Sequence, residues 1–318
     1  MAAWRRPTRL GRRLALAAVL ALALAAGPSA RAGGATLAVR HRSGWVEWWS
    51  DRRAPERWRA PDPVMTEALA WRPLGHGVEW AEVELAGSAP AWRTRLIVVR
   101  IDPPRVRLSL AMALSSADGR PAWTIERAPQ EALVAVNAGQ FLMTMPWGWL
   151  VIDGHQRLAP GKGPLSMAVA VDSAGAVRWL VGDSLARSCP PAMTAFQSYP
   201  TLLAQDGWIP DELRAPGRGV DLGHRDARVA IGETRDGKLL IVMTRFAALG
   251  ELAEQIPIGP TTPETAAIMG ALGARTAVML DGGISSQMIL RDPASGRRWR
   301  WPGVRKVPLA LIVTPRAR

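Results

Sequence analysis

A chain of 318 residues with 48% hydrophobic content is long enough to bury a sizeable core, in one large domain or two small ones, and has the composition of a globular protein. Forty Lys and Arg against 27 Asp and Glu give a formal charge of +13, yet the cations are dispersed among acids, which argues against a nucleic-acid partner. The single cysteine, Cys189, excludes an intrachain disulfide and the usual thiolate zinc site.

Residues 1–32 read as a secretory signal. Arg5, Arg6, Arg9, Arg12 and Arg13 precede an apolar run from Leu14 to Ala26, and Ala30-Arg31-Ala32 sets small residues at cleavage spacing. The run is short for a bilayer, so the expected product is exported, periplasmic or extracellular, with no stable membrane span after cleavage. Removing the segment takes six arginines and no acids, leaving +7. Arg12-Arg13 leaves a twin-arginine route open.

Residues 33–75 read as a loop-rich Trp/Arg/Pro extension. Between His41 and Trp92 lie Trp45, Trp48, Trp49, Trp58, Trp71, Trp80 and Trp92 without helical or strand period. Their indoles suit packing on the body, and flat aromatic faces would also suit sugar rings.

The body, 76–318, opens on short strands at Val78 to Leu85, Arg95 to Ile101 and Val106 to Ala111. Further apolar runs follow at Leu133 to Val136, Leu150 to Ile152, Met167 to Val171, Val177 to Leu180, Val229 to Ile231, Leu239 to Met243, Ala277 to Leu280, Met288 to Leu290 and Leu309 to Val313. Asp153-Gly154, Asp206-Gly207 and Asp236-Gly237 mark turns between them. Helices are predicted around Leu249 to Gln255 and from Thr262, with Pro263 in the first turn and Gly273 beyond the end. The expected fold class is α+β: a mixed, twisted sheet or partial barrel flanked by a few helices.

Three segments could carry chemistry. The strand Ala277 to Leu280 delivers Asp281, Gly282, Gly283, Ser285 and Ser286 to one turn, where a carboxylate would stand beside N–H groups able to cradle an anion. The strand ending at Val136 delivers Asn137, Ala138 and Gly139. Asn137 could orient a substrate oxygen or satisfy buried backbone at a strand end. Arg228 heads a third strand and could offer its planar fork to phosphate, or form an ordinary ion pair. His224, four residues earlier, is a lesser acid–base candidate. The acids and carbonyls of these turns could bind a divalent cation, although no ligand spacing specifies one.

Taken in order, these pieces resemble the phosphodiester glycosidase family, which includes the enzyme that uncovers mannose-6-phosphate by removing N-acetylglucosamine. The resemblance runs from Gly77-Val78 through Arg100-Ile101-Asp102-Pro103-Pro104, Asn137-Ala138-Gly139-Gln140-Phe141, Gly148 with Asp153-Gly154, and Tyr199-Pro200-Thr201-Leu202-Leu203. It continues through Arg228-Val229-Ala230-Ile231-Gly232, Gly270-Ala271-Leu272-Gly273-Ala274, Leu280-Asp281-Gly282-Gly283, Ser285-Ser286 and Val307-Pro308-Leu309-Ala310-Leu311. It implies an exported hydrolase that cleaves a sugar-1-phosphodiester of an envelope or extracellular polysaccharide at the anomeric C–O bond.

Because a phosphate monoester leaves readily, such a site needs contacts for developing phosphate charge and a carboxylate near the oxocarbenium-like carbon. Arg228 and the Gly282-Gly283-Ser285-Ser286 turn, with Gly139, would answer the first need, Asp281 the second, and Asn137 would hold sugar or phosphate. Ile284, Gln287, Gln140 and Thr244-Arg245 depart from the family pattern and bear on substrate identity. Two alternatives stay open: a non-catalytic glycan-binding envelope protein, and a hydrolase or transferase of another polymer linkage.

Overall fold

The computed structural model describes residues 35–316 apart from 89–91, 186, 188 and 249–252. The expected signal, 1–32, and positions 249–252 of the expected Leu249 to Gln255 helix lie outside the described residues. No helix among the described residues is long and apolar enough to cross a membrane.

The strands, in chain order, are β1 (Thr36–His41), β2 (Gly44–Ser50), β3 (Arg72–Gly75), β4 (Val78–Gly87), β5 (Arg93–Ile101), β6 (Val106–Met112) and β7 (Val134–Asn137). Then come the small hairpin β8 (Phe141–Leu142) and β9 (Met145–Pro146), followed by β10 (Leu150–Ile152), β11 (His155–Leu158), β12 (Met167–Val171), β13 (Val177–Val181), β14 (Thr194–Ser198) and β15 (Thr201–Leu203). The last six are β16 (Val229–Thr234), β17 (Leu239–Phe246), β18 (Ala274–Met279), β19 (Met288–Arg291), β20 (Arg298–Trp301) and β21 (Leu309–Pro315). Helices α1 (Pro63–Glu67), α2 (Gly182–Leu185) and α3 (Thr262–Ala271) lie between these strands.

These strands build a nine-stranded sheet ordered β15-β18-β16-β17-β5-β4-β1-β2 with β3 beside β4, and two five-stranded sheets, β11-β10-β14-β12-β13 and β20-β19-β7-β21-β6. Among the described residues sheet accounts for 43% and helix for 14%, and no sheet closes. The fold is therefore predominantly β, with every described pairing antiparallel, where α+β with a mixed sheet or partial barrel was expected. The cause lies in the connections. Strands that follow one another through Asp-Gly turns must run antiparallel. Asp153 and Gly154 take positive φ of 50° and 77°, as such a turn requires.

Strand β5 shows how the core is divided. Ile97, Val99 and Ile101 face a core shared by all three large sheets, while Leu96 and Val98 face a second core beneath α3. Burial on both faces is why Leu96-Ile97-Val98-Val99 reads as unbroken apolar sequence. Helix α3 begins as expected, with Pro263 in its first turn and a capping box between Thr261 and Glu264.

The segment expected to be loop-rich instead contributes β1 and β2, with Leu37, Ala38 and Val39 pairing against β4. Period two was present in Leu37 and Val39 but too short to stand out among arginines and tryptophans. None of the seven tryptophans between His41 and Trp92 is exposed. Arg100 stacks 4.2 Å from the Trp71 ring centroid and Arg72 4.9 Å from that of Trp80. The indoles pack on the body, and those of Trp45, Trp71 and Trp80 stack on guanidinium groups, which takes up much of the aromatic face that a sugar platform would need.

Trp58 lies directly on α3, where a Cβ added to Gly270 would run into its ring. Gly270→Leu is accordingly expected to cost about 2–3 kcal/mol by overpacking. A thermal melt checks it, and an unchanged midpoint would mean that the indole is not fixed on the helix.

Candidate active site

Three segments far apart in sequence meet where the nine-stranded sheet touches the β7-containing sheet. Strand β18 ends at Met279, and the chain then crosses to the other sheet, which it joins at β19. Leu280 N donates to Val229 O at 2.8 Å, on the first sheet, and Asp281 N donates to Ala138 O at 3.1 Å, just past β7. Asp281 therefore stands at the crossing itself. Gly283 N bonds to Ala227 O at 2.7 Å, and Gly283 takes φ 61°. A Cβ there would come within 2.8 Å of Asp226 Oδ2, so the glycine permits this close approach.

The crossing floors a cavity of about 560 Å³ whose lining includes Asp281, Arg228, Arg305, Asp226, His224 and Tyr199. The Asp281 side chain is 16% exposed, and burial pushes its carboxyl up to about 6. Opposing that shift, Ser285 hydrogen-bonds the carboxylate and Arg305 Nη2 stands 3.4 Å from Oδ2, while the charge on Asp226 raises it further. Asp226 is itself raised, first by desolvation, with Arg228 and His224 pulling the other way. The cavity thus holds two mutually repelling carboxyls, both moved toward neutral pH. Such groups can exchange protons with substrate under physiological conditions.

Cations complete the lining. Arg228 is buried and anchored: Nε donates to Pro260 O at 2.9 Å and Nη2 to His224 O at 2.5 Å. Nη1 makes no bond to protein among the described residues, so it is available to an anion in the cavity. Arg305 is held by Ser285, with Nε 2.9 Å and Nη2 2.5 Å from the hydroxyl, and lies 4.6 Å from the Phe141 ring centroid. Arg225 forks onto Glu264 with two bonds of 2.8 Å, docking the loop that carries His224 and Asp226 against the start of α3.

Of the residues singled out from sequence, Asp281, Arg228, Gly282 and Gly283 line this cavity, as does His224, which is exposed and 3.5 Å from Asp226 Oδ2. Asn137, Gly139, Ser285 and Ser286 are buried and do not line it. Asn137 is fully buried; its Nδ2 donates to Asp281 O at 2.6 Å and its Oδ1 accepts Gln287 N at 2.9 Å. Of its two expected roles, the geometry gives it the backbone-satisfying one, stapling both ends of the crossing.

Within the turn, the N–H groups of Gly283, Ser285 and Ser286 are taken up by the Ala227, Gly282 and Gly283 carbonyls. Arg228 and Arg305 add positive charge to the lining. Gly139 permits a close approach to Gln197 O, which a Cβ would meet at 2.8 Å.

Asn137→Ala strands the Asp281 carbonyl and the Gln287 N–H, two buried backbone groups, and is expected to cost about 2–4 kcal/mol. Activity should fall with the loosened floor. Urea denaturation checks the first effect; a variant as stable as the parent would show that neither bond matters.

Departures from the family pattern also serve as props. Gln287 is buried, accepts Ile125 N at 3.2 Å and donates to Arg305 O at 3.2 Å. Arg245 is 3% exposed and donates to Ser286 O at 2.8 Å, Trp301 O at 2.9 Å and Pro302 O at 3.0 Å, and burial lowers its guanidinium to about 10. The departing Thr244-Arg245 pair thus supplies a buried cation that braces the turn from behind. Among the described residues no three His, Cys, Asp or Glu side chains gather as a metal site.

Sequence reading passed over Asp226 and Arg305. Asp226 had a signal, an acid between Arg225 and Arg228 just ahead of a strand; Arg305 had none, since only tertiary structure brings it back to Asp281.

A family model described as phosphodiester glycosidase matches residues 130–314, which include the whole lining of the cavity. The zebrafish N-acetylglucosamine-1-phosphodiester alpha-N-acetylglucosaminidase catalytic domain, auto-inhibited by its pro-peptide, is similar at 16% identity and TM-score 0.55, with 89% of each chain covered. A Burkholderia pseudomallei protein named "Putative exported protein" is similar at 16% identity and TM-score 0.58, covering 82% of this chain and 100% of that one. A hypothetical protein from Synechocystis gives 17% identity and TM-score 0.54 over 78% of this chain, which spans 64% of the Synechocystis chain. At such identities these likenesses establish fold. No curated protein sequence matches.

Proposed function

This chain belongs to the phosphodiester glycosidase family, and we propose that it is an exported hydrolase that cleaves a glycosyl phosphodiester of the cell envelope or extracellular polysaccharide at the anomeric C–O bond. The observation that carries this reading is the placing of Asp281, with its carboxyl raised to about 6, in the floor of a cavity also lined by Arg228 and Arg305. The zebrafish enzyme's printed name gives the substrate class to try first, an N-acetylglucosamine-1-phosphodiester.

In this reading the sugar sits over Asp281, whose carboxylate faces the anomeric carbon as charge develops there. Arg228 Nη1 and Arg305 take up the charge that gathers on the departing phosphate. Asp226, coupled to Asp281 and beside His224, is the second carboxyl available for proton transfer. Asn137, Gln287 and Arg245 fix the floor without touching substrate. A divalent cation stays an option for the cavity oxygens, with no step assigned to it.

The reading also expects export, in keeping with the Burkholderia protein's name and the signal read from residues 1–32. Packing of the tryptophans against the body disfavours the alternative in which they form a non-catalytic glycan surface. The test is incubation with an N-acetylglucosamine-1-phosphodiester and mass spectrometry of the products. Release of free sugar and a phosphate monoester supports the reading; an intact substrate after prolonged incubation refutes it for this class.

A further inference from the structure

Nine large apolar side chains are exposed among the described residues, and five of them, Leu142, Met143, Met145, Ile284 and Val304, lie on segments bordering the cavity. The β8–β9 hairpin starts directly after Gln140, which lines the cavity, and Trp147 N returns to Gln140 O at 2.9 Å. Met143 at the tip is 93% exposed. Ile284 lines the cavity itself, and its carbonyl accepts the N–H groups of Val304 and Arg305 at 2.9 and 3.0 Å. Arg305 over Phe141 joins the two segments into one rim.

Leu142, Met143 and Val304 keep more than half of their surface in water, and Met145 and Ile284 keep 37% and 41%, so packing leaves much of this apolar surface unused. A concentration of exposed apolar groups beside a cavity marks an interaction surface. Its neighbours indicate the partner's charge, since exposed Arg305 and Lys306 follow Val304 directly. Apolar tips flanked by cations match a bilayer interface with anionic headgroups, where side chains enter the acyl boundary and cations meet phosphate.

Resting on the glycosyl-phosphodiesterase reading above, we infer that the β8–β9 hairpin, with Ile284 and Val304, docks the cavity mouth on an anionic lipid surface, and that the substrate's alcohol part is a lipid. In the reaction, water adds its oxygen to the anomeric carbon and gives up a proton to a cavity carboxylate as the C1–O bond breaks, the electron pair staying on the bridging oxygen. The bond between the bridging oxygen and phosphorus stays intact, so free sugar leaves and the lipid monophosphate remains in the membrane. An apolar rim gains nothing from a freely soluble diester, whereas it places a membrane-anchored one at the cavity mouth.

The test uses the chain from Gly33 onward, which keeps every described residue and omits the apolar run Leu14 to Ala26 that would bind lipid by itself. Vesicles of phosphatidylglycerol and phosphatidylethanolamine are compared with vesicles of phosphatidylcholine, for the parent and for Leu142→Asp with Met143→Asp. Aspartate tolerates the left-handed backbone of Met143, φ 54°.

The parent is expected to cosediment with the anionic vesicles in a salt-sensitive way, and the variant about tenfold less or weaker. Cleavage of a vesicle-borne glycosyl lipid phosphodiester should fall to match, while cleavage of a soluble diester stays within about twofold. Equal cosedimentation of parent and variant, or none by the parent, overturns the inference, as does a dimer in sedimentation velocity that the variant abolishes. Cosedimentation by a parent that cleaves neither diester refutes the reaction while the docking surface stands, so the two failures are distinguishable.

Discussion

Asp281→Asn is expected to lower kcat on a glycosyl phosphodiester by about 10³-fold or more, because it removes the carboxylate at the sheet crossing while keeping its shape. The same change should stabilise the fold near neutral pH. Burial holds the folded carboxyl at about 6, whereas an unfolded aspartate titrates near about 3.9. Above pH 6 both states are ionised, and the folded state bears a buried charge costing on the order of 3 kcal/mol. Between about 6 and about 3.9 that cost fades as the folded carboxyl takes up its proton first, and below the window it is gone.

Asparagine mimics the protonated acid, so the variant should be the more stable at pH 7.5 and lose its advantage by pH 4. Denaturant titrations at the two pH values check the linkage, and steady-state kinetics check the rate. Undiminished turnover would remove Asp281 from the chemistry.

Arg228→Met should act in the opposite direction on stability. The arginine is buried, and its Nε and Nη2 satisfy the Pro260 and His224 carbonyls. Methionine fills much of the volume but leaves both acceptors unmet, for a loss of about 2–4 kcal/mol. Asp226 also loses the cation that does most to lower its pKa against burial, so its carboxyl should rise further. Because Arg228 lines the cavity and its Nη1 bonds no protein group among the described residues, kcat/KM should fall at least about 10²-fold even in the folded population. Urea denaturation and kinetics below the melting range separate these effects. A variant with parental stability and activity would remove Arg228 from both the anchoring and the chemistry.

The sheets were largely legible because apolar runs between Asp-Gly turns admit few other conformations. Leu150 to Ile152 and Met167 to Val171 match β10 and β12 residue for residue. What the runs could not show was pairing: mixed and antiparallel sheets look alike strand by strand, and the balance of sheet over helix follows from how many short strands join.

At the site, the clustering of Asp281, Gly282 and Gly283 was legible from a strand running into a turn. The direction of the turn's N–H groups was not, since it depends on the Ala227 carbonyl arriving from another strand. Asn137 likewise presented two chemically sound roles, and only the position of the Asp281 carbonyl separates them. Arg305, twenty-four residues beyond Asp281, belongs to a loop whose return path no local pattern encodes.

Hydrolysis of an N-acetylglucosamine-1-phosphodiester in ¹⁸O-water tests the central claim most directly, because it shows which bond breaks. Attack at the anomeric carbon, over Asp281, predicts the label in the C1 hydroxyl of the released sugar and none in the phosphate monoester. Label in the phosphate would mean that water attacks phosphorus, and would contradict the glycosidase account.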